Sequence, residues 1–265
     1  MTLPHIGLGT FRLEGSQAIA SVSAALEIGY RLIDTAQMYN NETEVGKAVA
    51  ASNIPRSEIF VTTKIWPDNF SRLIPSLRDS LARLRMDRVE LTLLHWPAPG
   101  SGVPLADTLE ALMKAKAAGL TQHIGVSNFN IALMREAISI AGPGNIATNQ
   151  IELSPYLQNR KVAEFAKTQG IPLTSYMTLA RGTVVGDAAL KTIAQRLGAT
   201  PAQVALAWAM SQGHSVIPSS TRRENLESNF RATELKLTDD DMAQIAALER
   251  GSRLVDPDGL KPKWD

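Results

Sequence analysis

The 265-residue chain contains no cysteine, which excludes disulfides, thiolate metal sites and thiol nucleophiles. That composition suits a reducing compartment, and a cytoplasmic protein is expected. Net charge is nearly absent too: 27 basic side chains oppose 26 acidic ones, and the basic residues form no tract. Neither nucleic acid nor an anionic membrane is therefore expected as a partner. No apolar run approaches the roughly 18 residues of a membrane span, and residues 1–7 lack a basic segment followed by an apolar one. The histidines His5, His95, His123 and His214 are scattered with no His-x-His pair, so no metal site is expected.

What the chain has is a regular alternation. Short apolar or β-branched runs at 6–9, 31–34, 60–64, 90–95, 122–127, 147–151, 172–176 and 215–219 read as strands. Amphipathic stretches at 18–28, 73–84, 105–118, 132–140 and 162–167 lie between them. Gly29, Gly119, Gly142, Gly170 and Gly198 stand where helices would end. Strand starts fall roughly 25 to 45 residues apart, the length of one βα unit with a right-handed crossover. Eight such units predict a (β/α)8 TIM barrel in a single domain, 1–265. A doubly wound open sheet is the alternative, but Gly7-Leu8-Gly9-Thr10-Phe11-Arg12 lacks the third glycine of a phosphate loop. Two additional helical segments are expected near the C-terminus, opened by Thr200-Pro201 and by Thr238-Asp239-Asp240-Asp241. The tail 251–265 should be irregular and lie over a barrel mouth.

The last residues of the strands carry the chemistry: Asp34, Lys64, His95, Ser127-Asn128, Gln150, Tyr176 and Ser219-Ser220. In a barrel these all face the C-terminal mouth, where polar groups are unnecessary for packing. Asp34 and Lys64 close adjacent strands and should pair, either as a structural ion pair or as part of a site. Tyr39 follows Asp34 by five residues and can reach back towards Lys64, whose ammonium would lower the phenol pKa and make it a general acid. Singly, His95, Tyr176, Gln150 and Asn128 each have a packing or loop-satisfying explanation. Their convergence on one mouth favours a functional site. A Schiff-base aldolase could use Lys64, but pairing with Asp34 would keep that lysine charged and a poor nucleophile.

These residues, with Ile124-Gly125-Val126-Ser127-Asn128-Phe129, Asn149-Gln150-Ile151-Glu152 and Val216-Ile217-Pro218-Ser219-Ser220, resemble the aldo-keto reductase family over nearly the whole chain. Within it, residues 149–161 and Arg253-Leu254-Val255-Asp256-Pro257 are most similar to the bacterial 2,5-diketo-D-gluconate reductases of the B type. The resemblance implies a catalytic tetrad of Asp34, Tyr39, Lys64 and His95. It implies that Ser127, Asn128 and Gln150 hold a carboxamide and that Tyr176 stacks on a nicotinamide ring.

The resemblance also implies NADPH as cofactor and a small-molecule carbonyl as substrate: 2,5-diketo-D-gluconate, methylglyoxal-like dicarbonyls or keto esters. The family often places a lysine and an arginine at the 2′-phosphate; here Ser219 and Asn225 stand in their places. Ser220, Thr221, Arg222, Arg223 and a helix N-terminus remain to hold that phosphate. Trp66 and Trp96 are expected to line the substrate pocket, with core packing as the alternative for each. Short loops after Trp96 and Tyr176 suggest an open mouth for small polar carbonyls, and a short N-terminus suggests a reduced plug at the barrel floor. We expect a monomer. The alternative function is a redox-sensing barrel that binds NADPH with negligible turnover.

Overall fold

In the computed structural model, which describes residues 3–265, eight parallel strands pair in chain order. They are β1 (Gly7–Gly9), β2 (Leu32–Asp34), β3 (Phe60–Ile65), β4 (Val89–Leu94), β5 (Thr121–Ser127), β6 (Ile146–Glu152), β7 (Leu173–Tyr176) and β8 (Ser215–Val216). A parallel bridge between Ile6 and Val216 joins the last strand to the first, so the sheet closes as a TIM barrel. Positions 1 and 2 of the expected domain lie outside the described residues.

The helices are α1 (Gly15–Ile28), α2 (Glu42–Ala51), α3 (Leu73–Leu84), α4 (Leu105–Ala117), α5 (Ile131–Ala141), α6 (Arg160–Thr168), α7 (Ala188–Leu197), α8 (Pro201–Ser211), α9 (Arg223–Arg231) and α10 (Asp239–Ala246). The two beyond one per strand are α8, inside the β7–β8 crossover, and α10. Both begin at the threonines the sequence singled out. Thr200 caps α8 reciprocally with Gln203, and Thr238 caps α10 with Asp241. Val204, Ala205, Leu206, Ala207, Trp208 and Ala209 of α8 are all buried, so this helix is packed on every side.

The unforeseen helix, α2, is short and holds Gly46 mid-helix, which weakens its period. A Cβ at Gly46 would overlap the Leu84 carbonyl, so glycine lets α2 lie against the end of α3. On α3 itself, Leu73, Leu77, Leu81 and Leu84 are buried, each worth roughly 1.5–3 kcal/mol. Ser76 and Ser80, buried on the same face, accept hydrogen bonds from Gln37 in the loop after β2.

Strand β8 is shorter than expected. Pro218 has no N–H to continue a ladder, although its carbonyl still accepts from the Gly9 N–H at 3.1 Å. No strand precedes β1 among the described residues; Leu3 instead packs with Leu91 and Leu93. The loop after β7 corrects another expectation, because it is not short. It winds through a 3₁₀ segment, Ala180–Gly186, before α7 begins, with Arg181 (φ 53°) and Gly182 (φ 89°) both left-handed where it reverses.

Candidate active site

Strand register brings the polar strand ends to one level. Asp34 lies beside Gly9 and Thr62, Lys64 beside Leu93, Gln150 beside Ser127 and Thr174, and Glu152 beside Tyr176. Lys64 is fully buried, and its ammonium donates to Asp34 Oδ1, to the Thr35 carbonyl at 3.0 Å and to the Tyr39 hydroxyl at 3.2 Å. The other Asp34 oxygen, Oδ2, accepts from Gln150 Nε2 at 2.8 Å. One carboxylate thus ties β2 to β3 and, across the barrel, to β6.

Burial is the largest influence on Lys64 and pushes its pKa down, but the charges of Asp34 and Tyr39 outweigh it. The net value lies above the ordinary lysine one, so the ammonium persists. Tyr39 corrects the expectation of a lowered phenol. Lys64 does pull its pKa down, yet burial pushes harder and Asp34 adds to the rise, leaving it above 10.0. The phenol therefore keeps its proton at neutral pH and is a donor awaiting an acceptor.

His95 follows β4, its N–H bonded to the Ile65 carbonyl at 3.1 Å. Its ring meets Tyr39 and Trp66 edge-on, with centroids 5.6 Å and 5.2 Å away. Burial first, and then the charge of Lys64, hold its pKa well below 6.5, so the imidazole is neutral. Its Nδ1 is buried without a partner, which leaves Nε2 as the nitrogen available to a ligand.

A cavity of about 700 Å³ opens over these groups and runs past the ends of β5 to β8 towards α8 and α9. Its walls include Asp34, Tyr39, His95, Trp96, Ser127, Asn128, Gln150, Tyr176, Ser219 and Ser220. Five expected residues lie elsewhere. Lys64 sits behind Asp34 and Tyr39, Trp66 backs the His95 ring outside the wall, and Thr221, Arg222 and Arg223 are exposed beyond it. Asn128 already has protein partners: Nδ2 donates to the His95 carbonyl at 3.0 Å and to Ser127 Oγ, and Oδ1 accepts from the Tyr176 hydroxyl at 2.7 Å, so the second lone pair of Oδ1 is what it can still offer a ligand.

This arrangement has counterparts among known proteins. The model of the Aldo/keto reductase family matches residues 5–250. The chain belongs to the aldo-keto reductase family. Methylglyoxal reductase DkgB of Salmonella typhimurium is 58% identical over the whole of both chains, and an aldo-keto reductase of Mycolicibacterium vanbaalenii is 42% identical over 95% of this chain and 90% of its own. The crystal structure of a candidate 2,5-diketo-D-gluconic acid reductase B superposes with a TM-score of 0.95 at 44% identity, covering 99% of this chain and 94% of that one. The aldose reductase of Giardia lamblia superposes at 0.86 with 31% identity, covering 93% and 92%.

As an aldo-keto reductase, the chain is an oxidoreductase that acts on carbonyl groups, and the family implies a nicotinamide cofactor. The cavity fits such a group chemically. Amide and hydroxyl groups line its middle, the Tyr176 ring forms part of the wall, and Ser219, Ser220 and Asn225 stand near the start of α9. Ser220 Oγ accepts from the Arg222 N–H at 3.1 Å. Arg223 is engaged with Glu27 at 2.6 Å and Glu227 at 3.0 Å, whereas Arg222 has only Glu224, at 3.7 Å.

Several wall residues of the reductase lie off the strand ends. Phe11 and Arg12 follow β1. Leu179, Arg181 and Val185 come from the long β7 loop, and Val255 from the tail. Gln37 carries a signal legible only in three dimensions. Its Nε2 reaches Ser76 and Ser80 on α3, while Oε1 accepts from the Trp66 N–H at 2.9 Å and Asn69 Nδ2 at 3.0 Å. The turn bearing Tyr39 is thereby fastened to the loop bearing Trp66.

Proposed function

We propose that this reductase converts small aldehydes and ketones to alcohols with NADPH, its substrates including methylglyoxal and 2,5-diketo-D-gluconate. The observation that carries the reading is the Tyr39 hydroxyl, 3.2 Å from the buried Lys64 ammonium, at a cavity wall it shares with a neutral His95. Reduced nicotinamide, when bound, supplies a hydride to the carbonyl carbon. Tyr39 holds the proton for the carbonyl oxygen on its hydroxyl. His95 Nε2–H orients that oxygen and, with the Lys64 charge behind Tyr39, stabilises the negative charge developing there. Asp34 keeps Lys64 charged, and Gln150 keeps Asp34 in place.

The cofactor residues in this reading are Ser127, Asn128 and Gln150 for the carboxamide, Tyr176 for the ring, and Ser219, Ser220, Thr221 and Arg222 for the adenosine end. An exposed guanidinium with only one loose carboxylate partner supports NADPH over NADH. The names of the similar DkgB and diketogluconate reductase proteins support the substrates. The test is NADPH oxidation against a carbonyl panel, with Tyr39→Phe alongside. Wild-type turnover that falls by roughly 10²–10⁴ in the variant, with cofactor affinity within about twofold, is expected. Tight NADPH binding with no carbonyl reduced would reject the reading in favour of a redox-sensing barrel.

A further inference from the structure

A carboxylate that the proposed chemistry leaves unused lies at the end of β6. Glu152 is 1% exposed and enters no ion pair among the described residues. Its Oε1 accepts from the Leu254 N–H at 2.8 Å and its Oε2 from the Val255 N–H at 2.9 Å. Burial raises its pKa, and those two N–H groups, with the charges of Arg253 and Arg181, pull it part of the way back. Hydrogen bonds to an ionised acceptor are roughly twice as strong as neutral ones. If the tail left, a buried carboxylate would lose both of these donors.

The segment held in this way forms part of the cavity wall. Val255 faces the cavity, and Arg253 lies 3.6 Å over the Trp264 ring, which meets Trp96 edge-on at 6.5 Å. Other anchors hold the tail as well: Asp265 Oδ2 accepts from the Ile131 N–H at 2.9 Å and the Lys263 carbonyl from Asn130 at 2.8 Å, both exposed, while the Tyr156 carbonyl accepts from the Ser252 N–H at 3.0 Å and the Leu260 carbonyl from the Ala98 N–H at 3.1 Å. The tie made by a buried carboxylate, and the one that reaches Val255 in the wall, is at Glu152, two residues beyond Gln150 on the same strand.

We propose that Glu152 is a specificity-determining positioning residue: by pinning Leu254 and Val255 it sets where the tail wall stands and which carbonyl substituents the mouth admits. The proposal rests on the carbonyl-reduction reading above. Its first test needs the protein alone. In Glu152→Gln, which puts an NH2 donor where one acceptor was, the Leu254 and Val255 amides should exchange with solvent roughly tenfold faster or more, with the barrel strands unchanged. The second compares methylglyoxal with benzaldehyde. The ratio of kcat/KM should move towards the bulkier aldehyde by about fivefold or more, through KM, with kcat within twofold. Val255→Ala, which leaves Glu152 intact, should move it the same way.

Unchanged amide exchange in Glu152→Gln would overturn the tie. Faster exchange with an unchanged substrate ratio, or no effect of Val255→Ala on that ratio, would overturn the specificity role. If unaltered protein reduces neither aldehyde, the functional reading and the specificity role fall together, while exchange still decides whether the tie exists.

Discussion

Replacing Asp34 with asparagine strips the buried Lys64 ammonium of its carboxylate partner and leaves the Thr35 carbonyl and the Tyr39 hydroxyl as acceptors. The asparagine amide has one oxygen where the carboxylate had two, so its NH2 must oppose either Lys64 Nζ or Gln150 Nε2, both donors. Breaking a buried pair from one side costs about 3–5 kcal/mol, and at roughly 2–4 °C per kcal/mol for a chain of this size Tm should fall by about 6–20 °C. The sign of the pH dependence follows from Lys64. In the wild type its folded pKa is raised above 10.5, so the pair's stabilisation is complete below that value and is lost only as pH rises through the folded pKa. Without Asp34, burial remains the dominant influence and the folded pKa drops below 10.5. The variant then gains stability as pH climbs from neutrality towards 10.5. Thermal melts of both proteins from pH 7 to 10 should therefore show a Tm gap that narrows with pH. Turnover of the variant should fall more than its NADPH affinity, because the charge lost lies behind the phenol. A gap that is constant or widens with pH would refute the coupling, as would a variant with unchanged kcat.

Two other outcomes follow from single residues. Burial lowers the pKa of His214 from 6.5 to about 4, so its contribution to stability is present above 6.5 and is lost as pH falls towards 4. That loss amounts to about 3 kcal/mol. In urea titrations, His214→Asn should flatten the stability profile over that window, and an unaltered slope would show that the histidine does not carry it. Arg222→Ala should weaken NADPH by roughly tenfold or more while leaving NADH within about twofold. Equal losses for the two cofactors in a binding titration would remove Arg222 from phosphate recognition.

The barrel was legible because its period is written locally. Parallel strands buried on both faces read as short apolar runs, and helix ends are marked by Gly198 and by the caps at Thr200 and Thr238. The strand-end residues Asp34, Lys64, Gln150 and Tyr176 were legible for a geometric reason: parallel strands in a closed barrel deliver all their C-terminal ends to one mouth. Helix α2 was missed because Gly46 answers to a contact with α3, outside its own period. Leu179, Arg181 and Val185 were missed because the loop after β7 acquires its path from four left-handed residues, Met177, Ala180, Arg181 and Gly182, and from packing on α8.

Chemical identity came from the chain alone: a carboxylate, a lysine and an imidazole at successive strand ends, with a phenol in the turn after the first, allow one family of reaction more readily than others. Their protonation is a tertiary property. Lys64 was expected to lower the Tyr39 phenol, and its charge does so, but the water excluded by the surrounding barrel raises that pKa by more than one neighbouring charge can recover. The tail is decided in the same way. The sequence marks residues 251–265 only as irregular, whereas Glu152, about a hundred positions earlier, holds Leu254 and Val255 in the wall. Strand spacing and residue type are local and can be read in order. Burial and long-range hydrogen bonds depend on which distant segments exclude solvent from one another, and only the folded chain determines that.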